Sequence, residues 1–446
     1  MAGSFLKLSD LPPLMGSHPN TNLFQIQSPN GVNHAEVREI VAKACPAQNY
    51  HGKRVLLIVP DGTRTAPVGI VFQSIFDEIG ATTKSLDVLV ALGTHQPMSE
   101  EAICHRLEIS AESRRDIYGR VGFYNHCWDD PAELKRVGVI TADEISALSG
   151  GRFSMDVNVE INRRIFDYDQ VIIIGPVFPH EVVGFSGGNK YLFPGISGPE
   201  ILNFFHWLGA VVSNPKIIGN KWTPVRRVVD KAGSMVSVPK LCFCLVVGKS
   251  GLAGLFAGSP ETAWNAASDL SDQLHILYRD RPFHTILSCS PIMYDELWTG
   301  GKCMYKLEPV LADGGELIIY APHISEVCVT HGKVLHEVGY HCRDFFVKQW
   351  DHYKKFPWGV LAHSCHVYGQ GVFENGVETP RARVTLATGI PEVVCRQINL
   401  GYRDPDSIQI EEYANREDEG VLLVRKAGEM LYKLRHPPGW ALNESA

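Results

Sequence analysis

The sequence predicts an α/β protein of two domains built on Rossmann-like parallel sheets, with an active site in the cleft between them. Three observations lead there. Short continuous apolar runs alternate with stretches of helical spacing, polar turn residues follow the carboxyl ends of those runs, and 446 residues exceed what one core usually organises.

The first run, VLLIVP (55–60), is too short for a helix and stops at the turn-rich DGTRTAP (61–67), so it reads as strand and loop. Residues 68–79 carry apolar side chains at helical spacing, and LDVLVALGTH (86–95) gives a second buried strand ending in polar residues. The pattern returns in DQVIIIGPVFPH (169–180), with 171–174 as strand. Ligands of open α/β sheets bind at the edge where these polar residues gather. RDRP (279–282) reads as a linker, which puts a first domain over 1–281 and a second over 282–389. Within the second, HTILSCS (284–290), a helix around 304–311 and GELIIYAP (315–322) form a βαβ-like unit, and RVTLATG (383–389) is a later strand. The tail 390–446, with VLLVRKAGEML (421–431), is expected to rejoin the first domain, since chain ends often lie together.

Composition narrows the function classes. At 45% hydrophobic and 20% charged the chain is an ordinary globular sequence, and 42 Lys and Arg against 49 Asp and Glu leave a formal charge of -7, so a nucleic-acid partner is not expected. No uncharged apolar run approaches the roughly 20 residues that cross a bilayer, and the first 33 residues lack a basic start followed by an apolar stretch. The expected setting is cytoplasmic, without a membrane partner. Eleven scattered cysteines with no C-x-x-C read as reduced, mostly buried thiols.

The densest chemical signal is PHEVVGFSGGNKYLFPGISGPEILNFFHW (179–207). Gly184, Gly187 and Gly188 allow close backbone approach to a bound group, and Lys190 follows as a point charge or amine nucleophile. The pattern is not the phosphate loop G-x-x-x-x-G-K-[ST], because Tyr191 follows the lysine. On these letters alone, tight turns with a solvated lysine are an equal alternative. His180 and His206 are candidates for proton transfer or metal ligation, although a lone histidine is more often a hydrogen-bonded structural residue. The histidine of YNHC (124–127) reads as structural or pocket-lining, and Phe204, Phe205 and Trp207 as core. H-S-C-H (363–366) has metal-binding letters, but its spacing suits structural zinc poorly, and a second metal is not expected.

Taken in order, DGTRTAP (61–67), GTHQPMSEE (93–101), PHEVVGFSGGNKYLFPGISG (179–198) with His206 and, more loosely, ELWTGGK (296–302) resemble the lactate racemase (LarA) family of nickel-dependent 2-hydroxy-acid racemases and epimerases. The resemblance implies a nickel-pincer nucleotide joined covalently to Lys190, with His206 as a nickel ligand. It implies His95 and His180 as the catalytic pair, Arg64 as the substrate-orienting arginine and Lys302 as a further cation for anionic groups. Asp61, Gly62 and Thr63 would lie near the cofactor phosphate, with Gly187 and Gly188 also at the cofactor. Separate cofactor-biosynthesis proteins are then required as partners, and the chemistry is inversion at C2 by hydride transfer through a 2-keto acid.

Elementary chemistry agrees with that route, because a carbon beside an anionic carboxylate is a poor acid and loses hydride more readily than a proton. One neutral histidine is needed for each enantiomer's hydroxyl proton. Trp298 and Thr299 stand where the lactate enzyme carries a tyrosine and a glutamine, and a glycine pair follows, so the pocket facing the substrate tail is reshaped. With the unmatched polar stretches 322–332 and 363–371, this points to a 2-hydroxy acid larger or more hydroxylated than lactate, such as a sugar acid. The alternatives are a short aliphatic substrate with Trp298 filling volume, a noncatalytic nucleotide-binding homologue, and a zinc hydrolase using the same histidines.

Overall fold

A computed structural model of the chain describes residues 22–63 and 65–441. The chain divides into two compact units. Unit one gathers the described residues up to Phe178 with Phe185–Leu202 and Arg226–Leu274, and unit two gathers Pro179–Gly184, Asn203–Val225 and the described residues from His275 onward. The expected division at 281 and 282 thus lies close to the main crossing at 274 and 275, but the chain also passes between units around 179–184 and 203–225.

Unit one is built on a seven-stranded sheet in the order Phe24–Gln27, Gly251–Gly258, Lys240–Gly248, Gln170–Pro176, Arg54–Pro60, Ser85–Ala91, Phe123–Asn125. From Lys240–Gly248 through Phe123–Asn125 every pairing is parallel, and the two strands at the other edge are antiparallel. The fully buried runs at 55–60 and 171–176 follow from burial on both faces, which leaves no room for alternating polar residues. The helix Val68–Ile79 covers the sheet with Val68, Val71, Phe72, Ile75 and Ile79, all buried at helical spacing. From the central strand Arg54–Pro60 the chain runs out to one edge and then returns to place Gln170–Pro176 on the other side. That reversal is the switch point at whose carboxyl edge such sheets bind ligands.

Unit two repeats the scheme with five parallel strands, in the order Gly401–Tyr402, Arg383–Thr388, Leu311–Ala321, Phe283–Cys289, Val421–Val424. Here the structure corrects two expectations. The tail joins unit two rather than unit one, because Val421–Val424 extends the sheet beside Phe283–Cys289 and Leu431–Leu434 pairs with Ile276–Arg279. The helix expected over 304–311 is only Lys302–Tyr305 with a 3-10 turn at Glu308–Val310, since Pro309 ends helical propagation and Leu311 already enters the strand. All eleven cysteines are free, ten of them buried and Cys127 exposed. Among the described residues no helix is long and apolar enough to cross a membrane.

The loop after Gln170–Pro176 is fixed from below by Arg226, which is 1% exposed. Its guanidinium donates to the Phe185 carbonyl at 2.6 Å and reaches the Gly187 carbonyl at 3.4 Å, while it stacks on the Trp264 ring at 3.9 Å. Trp264 in turn donates to the Ser186 carbonyl at 3.0 Å. Replacing Arg226→Met leaves those carbonyls without their donor. The expected loss is at least about 2 kcal/mol of unfolding free energy, read from urea denaturation, and an unchanged midpoint would remove Arg226 as the anchor.

Candidate active site

In unit one, Asp61 is the first residue beyond the strand Arg54–Pro60 and His95 lies four residues beyond Ser85–Ala91, so two adjacent parallel strands deliver both side chains to one edge. Asp61 is 8% exposed, and its Oδ2 lies 2.5 Å from His95 Nδ1. Its other oxygen accepts from the Thr63 amide at 3.1 Å and the Thr63 hydroxyl at 2.7 Å. Burial pushes the Asp61 carboxyl up, but the His95 ring and the two Thr63 donors outweigh it and hold the carboxyl well below the usual carboxylate range. The ionised carboxylate accepts a hydrogen bond from His95 Nδ1–H, which leaves the lone pair of the neutral ring on Nε2. Thr63, Asp61 and His95 thus form one hydrogen-bonded chain. Gly62 borders a cavity of about 940 Å³ in unit one that Thr65 also lines. Arg64 lies outside the described residues.

Lys190 sits in the short 3-10 turn Gly188–Tyr191. Gly187 (φ 92°) and Gly188 (φ 60°) are both in the left-handed region, and the space a side chain would need is filled by Val177 at the first and by Trp264 and the Pro260 carbonyl at the second. Both glycines are thus packed tightly against the protein's own side chains and backbone. Asn189, just before the lysine, donates from its side-chain amide to Asp230 at 3.2 Å and Glu261 at 2.7 Å, which anchors the turn that carries Lys190.

Unit two carries the remaining candidates. His180 is 6% exposed, and its Nδ1 accepts the Val182 amide proton at 3.1 Å, which puts the proton of the neutral ring on Nε2. Glu181 Oε2 lies 3.3 Å from the same Nδ1 and becomes its partner only when the ring is protonated. His206, half-buried on the helix Pro199–Val212, stacks on Phe205 at 4.4 Å. Lys302 is 6% exposed, with its ammonium 4.6 Å from the centre of the Tyr294 ring. Thr299 is buried, and its hydroxyl donates to the Glu296 carbonyl at 3.0 Å, leaving only its lone pairs for a ligand. Trp298 is half-buried with its ring on His363 at 4.0 Å.

Several contributors escaped sequence reasoning. Arg226 and Trp264 have no motif, and Glu181 was legible only as a neighbour of His180. The other readings fare as their surroundings dictate. His126 is structural: both ring nitrogens are engaged, by the Ser197 carbonyl at 3.0 Å and Asn162 at 3.2 Å, and burial pushes it down to about 4. Phe204, Phe205 and Trp207 are core.

Known proteins resemble this chain along most of its length. The family description "Lactate racemase N-terminal domain" matches residues 25–218. The lactate racemase of Thermoanaerobacterium thermosaccharolyticum is 24% identical over 276 residues, 60% of either chain, and that of Lactiplantibacillus plantarum is 23% identical over 49% of this chain and 48% of its own. The chain therefore matches about half to three fifths of the length of these curated relatives. A crystal structure of a Thermotoga maritima protein, 32% identical, superposes with a TM-score of 0.85 over 92% of this chain and all of the other. The T. thermosaccharolyticum lactate racemase apoprotein shares the fold at a TM-score of 0.64 and 17% identity, covering 89% of this chain and 93% of its own. The lactate racemase family's N-terminal domain is thus matched over residues 25–218, and the fold of both units is shared with a lactate racemase apoprotein.

Proposed function

We propose that this protein is a racemase or epimerase of 2-hydroxy acids, inverting C2 through a 2-keto acid, with a substrate more hydroxylated than lactate. The observation that carries the reading is the Asp61–His95 pair, a buried carboxylate fixing one imidazole so that its Nε2 is basic at the carboxyl edge of a parallel sheet. His95 takes the substrate hydroxyl proton. His180 serves the other enantiomer as base through Nε2 when its own proton sits on Nδ1 and faces Glu181 in place of the Val182 amide, and it is the acid when both nitrogens are protonated. Each turnover moves one proton from substrate to one ring and one proton from the other ring to product, so the pair ends in the mirror state. Arg64 and Lys302 are the cations we assign to the substrate carboxylate, Lys302 from a buried position that strengthens its pull on an anion.

The residues fit the nickel-pincer nucleotide of the family. Among the described residues there is no group of three or more His, Cys, Asp or Glu able to hold a metal, so His206 as a lone imidazole suits a metal whose other donors come with an organic group. Lys190 would carry that group on a turn braced by Asn189, with Gly187 and Gly188 giving the turn its shape. When bound, it supplies an electron-poor carbon that accepts hydride from C2 and returns it. Cofactor-making proteins are the partners this requires, and the setting we propose is the cytoplasm.

Protein matured with those partners should interconvert the enantiomers of a 2-hydroxy acid in deuterium oxide without deuterium entering C2. Washing in of solvent deuterium at C2 would replace hydride transfer by proton abstraction. Intact mass should show an adduct lost in Lys190→Ala, and His206→Ala should lower nickel content with an unchanged melting curve; an adduct that survives Lys190→Ala overturns that attachment.

Alanine at either His95 or His180 should slow interconversion in both directions by at least about 100-fold, because every turnover uses one ring as base and the other as acid. A variant within about tenfold of wild type removes that residue from the proposed mechanism.

Asp61→Asn should lower kcat by about 100-fold or more with KM little changed, as the amide no longer fixes the tautomer of His95. Because the folded-state pKa of Asp61 is depressed, the stability it contributes is complete above the unfolded value of about 3.9 and is lost only as pH falls into stronger acid. An acid melt of wild type against Asp61→Asn should therefore show the difference in stability constant from pH 5 to 8 and shrinking below pH 4.

A further inference from the structure

Unit two contains a cluster of buried polar atoms that the reaction above does not use. His363 and His366 lie three residues apart on the helix Trp358–Tyr368, hence on one face, and are 8% and 4% exposed. His363 Nε2 lies 3.0 Å from the Trp298 carbonyl, which can only accept, so the ring proton is on Nε2 and Nδ1 presents a lone pair. That Nδ1 is buried with no hydrogen-bond partner among the described residues, and the same holds for His366 Nε2 and the Tyr340 hydroxyl. The rings adjoin: Tyr340 meets His363 edge-on at 5.8 Å, and Trp298 lies flat on His363 at 4.0 Å. Gly301 makes this possible, because a side chain there would collide with Val367 and crowd His363 Nε2. The cluster also adjoins the catalytic segment, since the Glu181 carboxylate acts on both imidazoles.

The chemistry of these atoms is selective. Burial is the main cause that pushes His363 down to about 3 and His366 to about 4, and it pushes the Tyr340 phenol up, so all three groups are neutral across the physiological range. A carboxylate offers only lone pairs and would face the lone pair of His363 Nδ1. A hydroxyl can donate to that nitrogen and accept from a phenol. Buried polar atoms of this kind discriminate against a ligand that leaves them unpaired.

We propose that His363, with His366 and Tyr340, is a specificity-determining hydroxyl acceptor that recognises the polyol tail of a sugar-acid substrate, while Trp298 fixes the orientation of the His363 ring. The assignment rests on the 2-hydroxy-acid reading and names the part of the substrate these atoms would hold.

The test uses matured full-length protein. His363→Phe keeps a ring on Trp298 and removes the Nδ1 lone pair together with the Nε2 hydrogen bond to the Trp298 carbonyl; it should lower kcat/KM for a six-carbon aldonate by about 10-fold to 100-fold, mainly through KM, with a much smaller loss on lactate. His363→Asn, whose side-chain oxygen lies near the place of Nδ1, should recover part of the aldonate activity. Independently, in wild-type protein labelled with ¹⁵N-histidine, the unprotonated Nδ1 resonance of His363 should move upfield on saturation with aldonate and stay in place with lactate. Equal losses on both acids, unchanged discrimination in His363→Phe, or a resonance indifferent to aldonate each overturn the proposal. If no 2-hydroxy acid is interconverted, the racemase reading fails, and the resonance still decides whether His363 binds the polyol.

Discussion

A buried guanidinium holding backbone carbonyls is the interaction on which the rest of unit one depends. Arg226 has left water almost completely, a cost that only well-directed partners offset, and it meets the Phe185 and Gly187 carbonyls, the Trp264 ring and, at 3.7 Å, the Asp230 carboxylate. Those carbonyls belong to the stretch whose left-handed glycines shape the Lys190 turn. A side chain at Gly187 or Gly188 would both adopt an unfavourable backbone conformation and strike Val177 or Trp264, so loop shape and ring packing are one constraint.

The same balance between burial and pairing separates the carboxylates by task. At Asp61, His95 and Thr63 outweigh burial and the group stays ionised. At Asp230 burial wins despite Arg226 and Asn189, and the carboxyl is pushed up to about 6, while Glu308, also buried, is raised as well. An ionised carboxylate against Nδ1 is what an imidazole needs to act as a base through Nε2. A carboxyl that gains a proton more easily suits a structural hydrogen-bond network such as the one through Asn189.

Much of this was legible in the chain itself. The buried runs at 55–60, 86–90 and 171–174 are strands because parallel sheets covered on both faces admit no polar alternation, and the turns after them had to be polar because they leave the core. Asp61, His95, His180 and Lys190 were picked out by the motifs that resemble the family, and of these Asp61 and His95 stand just beyond the ends of two adjacent strands. What stayed hidden depended on contacts distant in sequence. Nothing in 421–434 announces that its strands pair with 276–279 and 283–289 rather than returning to unit one. Nor does Arg226 signal that it reaches back about forty residues to the glycine loop. The H-S-C-H letters, for which no second metal was expected, give along one helix face two neutral imidazoles whose hydrogen-bond duties no letter announces.

That difference in duty orders the histidines of the proposed site. Proton transfer at a hydroxyl needs rings whose charge can change, and both assigned rings have a carboxylate at Nδ1: Asp61 at 2.5 Å from His95 and Glu181 at 3.3 Å from His180. Recognition of a neutral polyol needs rings whose charge does not change, and His363 and His366 are buried among aromatic and aliphatic groups that favour the uncharged form. The division lies in which effect prevails: Glu181 lies 3.3 Å from His180 Nδ1, whereas at His363 and His366, which the same carboxylate also influences, burial outweighs it. A protein that inverts a carbinol centre and selects for hydroxyls beyond it therefore needs two classes of histidine, and the local surroundings of these four rings divide along that line.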